Sequence, residues 1–489
     1  MARKILCGLL AAGVVGVSGS ALAGDTITTS KHLDGDVFIK TDSNWAAVVQ
    51  STGSDTIKIT GDSFKLGLET SASCADAIDC YDTAGKIILG DTNTNDISIS
   101  CKATDQAFGI WALKKSYVEV NAKQLSIEAY GNDARAIQVQ NNSVPNDKKT
   151  DFATVILNAN TVIKSDGIGI AAMSEGRFTA NGDIEITAPQ VIVTRGDAKI
   201  NINSDGNHRV VLNGDIGFDY DAATSGTPVN ADVNIKLTGA ESQWNGNAKV
   251  NWAGEEDANG NYKGLPTASD LTVDSFTLTL ADNAQWNPKF VTVEGEYNED
   301  GSGKSLSGTQ YTNLNNVILE NGIINLTDAK DQVKIDNIKG SGTIAIGADD
   351  NALGITKQND ADLTVAATQP YAEQIASNDM SGAVKDLAAK VKDETNDGKT
   401  AASSVYIPET TVAGAVTAYI DKDGNAANVK EAVNTTNAAV SDVASISLMT
   451  WRQENNDMNK RLGELRDSKG EHGAWARMAR GESKYGAQN

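Results

Sequence analysis

The chain has 489 residues and a formal net charge of −22 at neutral pH, the wrong sign for gripping nucleic acid or an anionic lipid surface. Its 45 glycines against 7 prolines suit many short strands joined by tight turns better than a proline-rich disordered tail. The only histidines are His32, His208 and His472, none with zinc-like spacing to a cysteine, so neither a metal nor another cofactor is expected.

At the start of the chain, Arg3 and Lys4 form a positive segment and Ile5 to Val17 an apolar run too short to span a bilayer comfortably. Ala21-Leu22-Ala23 then supplies a small-x-small cleavage site. Residues 1–23 read as a signal peptide cut between Ala23 and Gly24, which places the mature chain outside the cytoplasm. In an oxidising compartment Cys74 and Cys80, with five residues between them, are candidates for a small disulfide loop, leaving Cys101 alone or in competition.

Residues 24–314 carry short runs of alternating β-branched and polar residues, such as Thr56-Ile57-Lys58-Ile59, Ile200-Asn201-Ile202 and Phe276-Thr277-Leu278-Thr279-Leu280. Period-2 alternation marks half-buried strands, and no long apolar stripe of helical period interrupts it. A weak repeat accompanies the pattern: Gln243-Trp244-Asn245 returns as Gln285-Trp286-Asn287. A spacing of about 42 residues suits two turns of a solenoid with roughly 21 residues each. The fold expected is an all-β, right-handed parallel β-helix of about 14 coils, a rod of order 65 Å at about 4.8 Å per coil.

Residues 315–367 contain Asn316-Val317-Ile318-Leu319-Glu320-Asn321-Gly322 and Val333-Lys334-Ile335-Asp336-Asn337-Ile338-Lys339-Gly340-Ser341-Gly342-Thr343-Ile344. This stretch is similar to the pertactin-like C-terminal module of autotransporter passengers, where an L-x-V-x-x-L-x-G-S-G-T-F pattern marks stable coils that fold first outside the cell. Residues 368–425 change character: Val384, Leu387, Ala388 and Val391 fall on one helical face that Asn396-Asp397-Gly398 ends, predicting an exposed helical insert followed by a hairpin around Ala413 to Tyr419. Residues 426–468, rich in Ala, Asn, Ser and Thr, predict a longer helix with small and polar residues all round, suited to the lumen of a polar barrel.

The end of the chain carries Asn459-Lys460-Arg461-Leu462-Gly463-Glu464-Leu465-Arg466-Asp467 and then Gly473-Ala474-Trp475-Ala476-Arg477. These residues resemble the junction between passenger and translocator in type Va autotransporters, the self-exporting surface proteins of Gram-negative bacteria. The resemblance implies that residues 469–489 open the first strand of an outer-membrane β-barrel whose remainder this chain lacks. It also implies export through the periplasm to the outer membrane, the cell surface or the medium. The role implied is an adhesin or host-interaction protein, with host surface or matrix proteins as partners, no nucleic acid and no catalysis.

Four local patterns carry chemistry. Gly61-Asp62-Ser63-Phe64 resembles the G-D-S-L block of esterases, and Asp205-Gly206-Asn207-His208 supplies a later D-x-x-H, so an esterase passenger using Ser63 is the alternative. Strand-like residues flank Ser63 on both sides, whereas that family places its serine at a strand-to-helix turn. Arg195-Gly196-Asp197 is a receptor-type triplet if it protrudes, and a coil turn if it does not. Asp421-Lys422-Asp423-Gly424-Asn425 has clustered oxygens, but its glycine falls at the fourth position and no glutamate closes it, which favours a plain turn over a calcium loop. Finally, some autotransporters release their passenger when an asparagine side chain in the pore helix attacks its own backbone carbonyl. Registering on Asn459-Lys460-Arg461 puts Asn456 at that position, with Asp457 standing where a second asparagine belongs.

Overall fold

The computed structural model describes residues 22–23, 25–81, 84–141, 152–221, 229–253, 255–256, 262–263, 273–289, 307–311, 314–327, 333–348, 352–357, 361–375, 380–421 and 423–467. The signal segment up to residue 21, Gly24 and the expected barrel strand at 469–489 lie outside them. Among the described residues the protein is mostly β: one sheet of 33 strands, a separate two-stranded hairpin and three α-helices.

Nearly all strand pairing up to residue 367 is parallel, and it builds continuous apolar ladders. Val37 pairs with Leu66, and the register then steps through Ile99, Ile127, Ile163, Ile186, Leu212, Trp244, Trp286, Ile324, Ile344 and Val365 to Val405. None of these thirteen residues is more than 3% exposed. A strand sends alternate side chains to opposite faces, so the period-2 pattern leaves Ile, Leu and Val inside on every level and polar groups outside. Twelve intervals of about 4.8 Å give the ladder a length of about 58 Å. A second ladder climbs from Ile59 through Leu89, Val120 and Leu157 to Ile338. A third runs from Val49 through Ile78, Ile110, Ile137, Ile170 and Ile192 to Ile216. All three belong to one core.

The repeat spacing needs correcting. Gln243–Asn245 pairs in register with Gln285–Asn287, so the 42 residues between them make one level, not two. Successive levels consume from 20 residues (Ile324 to Ile344) to 42 (Trp244 to Trp286). Within residues 24–314 the first ladder therefore has nine levels, Val37 to Trp286, instead of about fourteen. Hydrogen bonds fix the distance between levels, whereas the connections between strands are free to vary in length at small entropic cost.

Here the two tryptophans stack, with ring centroids 5.4 Å apart and planes 13° from parallel. The indole nitrogens of Trp244 and Trp286 donate to the carbonyls of Gly214 and Gly246, each at 3.0 Å. A Cβ on Gly246 would run into the Gly214 carbonyl, so this close approach requires glycine. Pairing then continues from Val273–Ala281 into Leu314–Asn325 and Val333–Ile346, so the described strands of residues 315–367 share the same sheet and core.

The region after residue 367 departs from expectation. Helix α1 spans Gln369–Ile375 and helix α2 Met380–Ala388. Val384, Leu387 and Ala388 are buried in the main core, so α2 is packed and not exposed. Val391 is not helical: it begins the strand Val391–Asp393, which pairs in parallel with Ala352–Lys357, and Asp397 and Gly398 lie in the turn that follows, both at positive φ. The physical reason is the ladder itself, whose last levels offer apolar surface that a helix with one apolar face can cover. The hairpin is present: Ser404–Ile407 pairs antiparallel with Val416–Ile420, which pairs antiparallel with Ala426–Glu431. That last strand replaces the start of the expected 426–468 helix, because sheet pairing overrides the helix preference of an Ala-rich run.

Helix α3 spans Thr435–Asp467. Asn434 caps it, with Oδ1 accepting from the amide of Asn437 at 2.8 Å. Asn434 Nδ2 also donates to the carbonyls of Thr410 and Ala413, while Glu409 accepts from the amide and hydroxyl of Thr435 at 2.7 and 2.6 Å. Beyond that anchorage the helix stands in solvent, with Val440 64% and Trp451 60% exposed. Among the described residues no helix is long and apolar enough to cross a membrane.

Candidate functional site

Four strands of the outer wall bring Ser63, Asp96 and Gln124 into one column and Lys65, Ser98, Ser126 and Val162 into the next. Small serines at the middle two levels, between a lysine below and a valine above, leave a notch of about 260 Å³. Asp36 completes its lower end, with Oδ1 accepting from the Lys65 amide at 3.1 Å. Ser63 Oγ bonds to the Asp62 carbonyl at 2.8 Å and to Asp96 Oδ2 at 3.3 Å. The side chains of Lys65, Ser98, Gln124 and Ser126 make no hydrogen bond to another described residue, so their polar groups are offered to whatever fills the notch.

Ser63 thus sits at the lip of a hollow, but on the strand Ser63–Thr70 and without an imidazole. His32 contacts Thr60 Oγ1 at 3.0 Å and Asp34 at 3.4 Å. His208 faces Asp183 and Asp205, each at 3.6 Å. It lies beside the level of Leu212, five levels above that of Leu66, a separation of about 24 Å. The Ser63 and Asp205/His208 blocks are therefore not brought together.

Arg195 ends the strand Ile184–Arg195, and Gly196 and Asp197 turn the chain towards Lys199–Ile202. Gly196 takes φ +65°, its carbonyl accepts from Ala198 N at 2.8 Å, and only Asp197 of the triplet is exposed. The triplet is a turn flush with the wall, without the protrusion that receptor reading needs.

The proposed disulfide does not form. Cys74 and Cys80 are the first and seventh residues of the extended strand Cys74–Tyr81, which sets their Cα atoms about 20 Å apart, whereas a disulfide tolerates at most about 7 Å. Cys74, Cys80 and Cys101 are all thiols. Burial pushes the Cys80 thiol up to about 12 and that of Cys101 higher still, which makes both poor nucleophiles.

Asp421 Oδ1 accepts from the amides of Asp423 and Asn425 at 2.9 and 2.8 Å, closing a turn between two antiparallel strands. No group of three metal-binding side chains occurs among the described residues. Asn456 and Asp457 lie on the exposed face of α3.

Three features went unread in the sequence. Trp45, Phe108 and Trp111 form an aromatic cluster on the outer wall, with centroid separations of 4.8 to 6.4 Å, and Trp45 adopts φ +58°, a costly conformation for a bulky residue. Asn213, Asn245, Asn287 and Asn325 form an amide ladder in which the Nδ2 groups of the upper three donate to the Oδ1 one level below, at 2.8, 2.9 and 3.0 Å. Its signal was the third letter of the Gln-Trp-Asn repeat. Lys357 Nζ donates to Ser403 Oγ at 2.8 Å, and burial lowers the lysine pKa while Asp362 and Asp393 oppose that shift. The Leu363 amide donates to the same oxygen at 3.4 Å, so both lone pairs of Ser403 are engaged and the pair fastens the end of the sheet.

No family model matches the chain, and no curated protein or solved structure matches it.

Proposed function

We propose that the chain is the passenger of an autotransporter-type exporter, a right-handed parallel β-helix that reaches the bacterial surface or the medium and acts there by binding host surface or matrix proteins. The observation that carries this reading is the unbroken ladder from Val37 to Val405, from whose closed end α3 leaves as an exposed polar helix. A stack of this kind can be laid down level by level as the chain emerges. Each new level buries the apolar face of the one before, and that burial biases the chain outward without a nucleotide. The junction motif at Asn459-Lys460-Arg461 supplies the link to an outer-membrane barrel, and the signal segment the route to the periplasm. Esterase chemistry at Ser63 has no support from the positions of Asp205 and His208, five levels away.

Protease added to intact producing cells tests the location. It should degrade the protein while a periplasmic marker survives; degradation only after the outer membrane is permeabilised would refute surface display. The same cells test the folding order. Ile335→Asp with Ile338→Asp should stall export more than Ile57→Asp with Ile59→Asp, although all four isoleucines are interior; equal export would remove the nucleating role from residues 315–367.

A further inference from the structure

We propose that the notch lined by Ser63, Lys65, Asp96, Ser98, Gln124 and Ser126 binds an uncharged saccharide segment of a surface glycan. The inference rests on the surface-display reading only for its biological setting; the site itself stands on its geometry.

A peptide is disfavoured by the strand pairing. Asp96–Lys102 and Tyr117–Tyr130 are each paired on both sides; on the lower side of Ser63–Thr70 pairing begins at Leu66, and the short stretch before it has its Lys65 amide taken by Asp36, which leaves too little backbone edge for strand addition. An anion is disfavoured by the carboxylates of Asp36 and Asp96, which outnumber the single ammonium of Lys65. What remains is a set of neutral and mixed hydrogen-bonding groups. Asp96 accepts, Lys65 donates, and Gln124, Ser98 and Ser126 do both, which matches the donor-and-acceptor hydroxyls of a sugar. Val162, 40% exposed at the upper end, offers an apolar edge for ring C–H groups. The volume of about 260 Å³ lies below the ~300–1,000 Å³ of clefts for drug-sized ligands and admits a short saccharide rather than a large one. With few hydrogen bonds formed in competition with water, single-site affinity should be weak, in the millimolar to high-micromolar range.

Saturation-transfer NMR of the purified full chain against neutral, N-acetylated and anionic saccharides tests the assignment. Neutral saccharides should receive saturation from the protein, Gln124→Ala should weaken them about tenfold, and Ser126→Tyr, which fills the notch, should abolish binding. Lys334→Ala, on exposed surface elsewhere, should bind as wild type. If Ser126→Tyr fails to fold, Gln124→Ala at the rim decides alone. The proposal is overturned if no neutral saccharide is saturated, if anionic sugars bind better, or if Gln124→Ala binds unchanged. A displayed protein that holds host surfaces but no sugar overturns the notch alone. A purified chain that binds sugar but never reaches the surface overturns the display reading alone.

Discussion

Between Ile324 and Val365 the ladder climbs two levels in 41 residues, while between Trp244 and Trp286 one level takes 42. Both stretches keep the same parallel register and the same buried interior, so the spacing of the levels belongs to the backbone hydrogen bonds and not to the length of chain between them. The economical stretch is sealed by aliphatic side chains alone. The extravagant one adds the Trp244–Trp286 stack and the asparagine ladder on its outer side. Long connections cost closure entropy, and these extra contacts lie where that cost is highest.

The largest way to break this contrast is Trp286→Ala. It removes a fully enclosed ring, its stacking on Trp244 and the bond to Gly246, and should cost about 3–5 kcal/mol, read as a lower denaturant midpoint. A loss below about 1 kcal/mol would show that the long-return level is held by something else. Asn245→Ala should come next at about 1–2 kcal/mol, because it strands the half-buried amides of Asn213 and Asn287 on either side. Doubling the connection between Ala253 and Val273 with Gly and Ser should cost only about 0.6 kcal/mol, whereas the same insertion at Ser341, inside the short-return stretch, should disrupt pairing.

Two smaller effects are local. Under native conditions a thiol reagent should modify Cys74 and spare Cys80 and Cys101, with all three reacting after denaturation; a mass two hydrogens short would reveal a disulfide. Because the Cys80 pKa is raised from 9.0 to about 12, its contribution is intact below pH 9 and erodes as pH climbs towards 12. Glu409 shifts the other way, since the hydroxyl and amide of Thr435 hold its carboxyl below the ordinary 4.5. Its hold on the start of α3 is therefore present above that value and is lost as pH falls through the depressed one, seen as a smaller protection factor for the Thr435 amide relative to its intrinsic exchange rate at each pH.

Alternation was legible in strands such as Val37–Thr41, Thr56–Thr60 and Thr154–Ser165, which send apolar side chains inward at period two, and the copied Gln-Trp-Asn announced a stack. The number of residues per level was not legible, since nothing in a sequence says whether two copies lie one level apart or two. The notch was hidden for a related reason. Its columns join residues 63–65, 96–98 and 124–126, which become neighbours only through register. Val391 was misread as helical because a buried strand residue and a buried helix residue look alike over so short a window.

A run of parallel strand pairing has an unsatisfied rim at each end, and a rim is an invitation for another copy to dock. Above Val405 that invitation is withdrawn: two strands double back across the top, and the outermost, Ala426–Glu431, meets water with Lys430 and Glu431. Molecules crowded side by side can therefore remain separate individuals, since this tip refuses to seed a fibre.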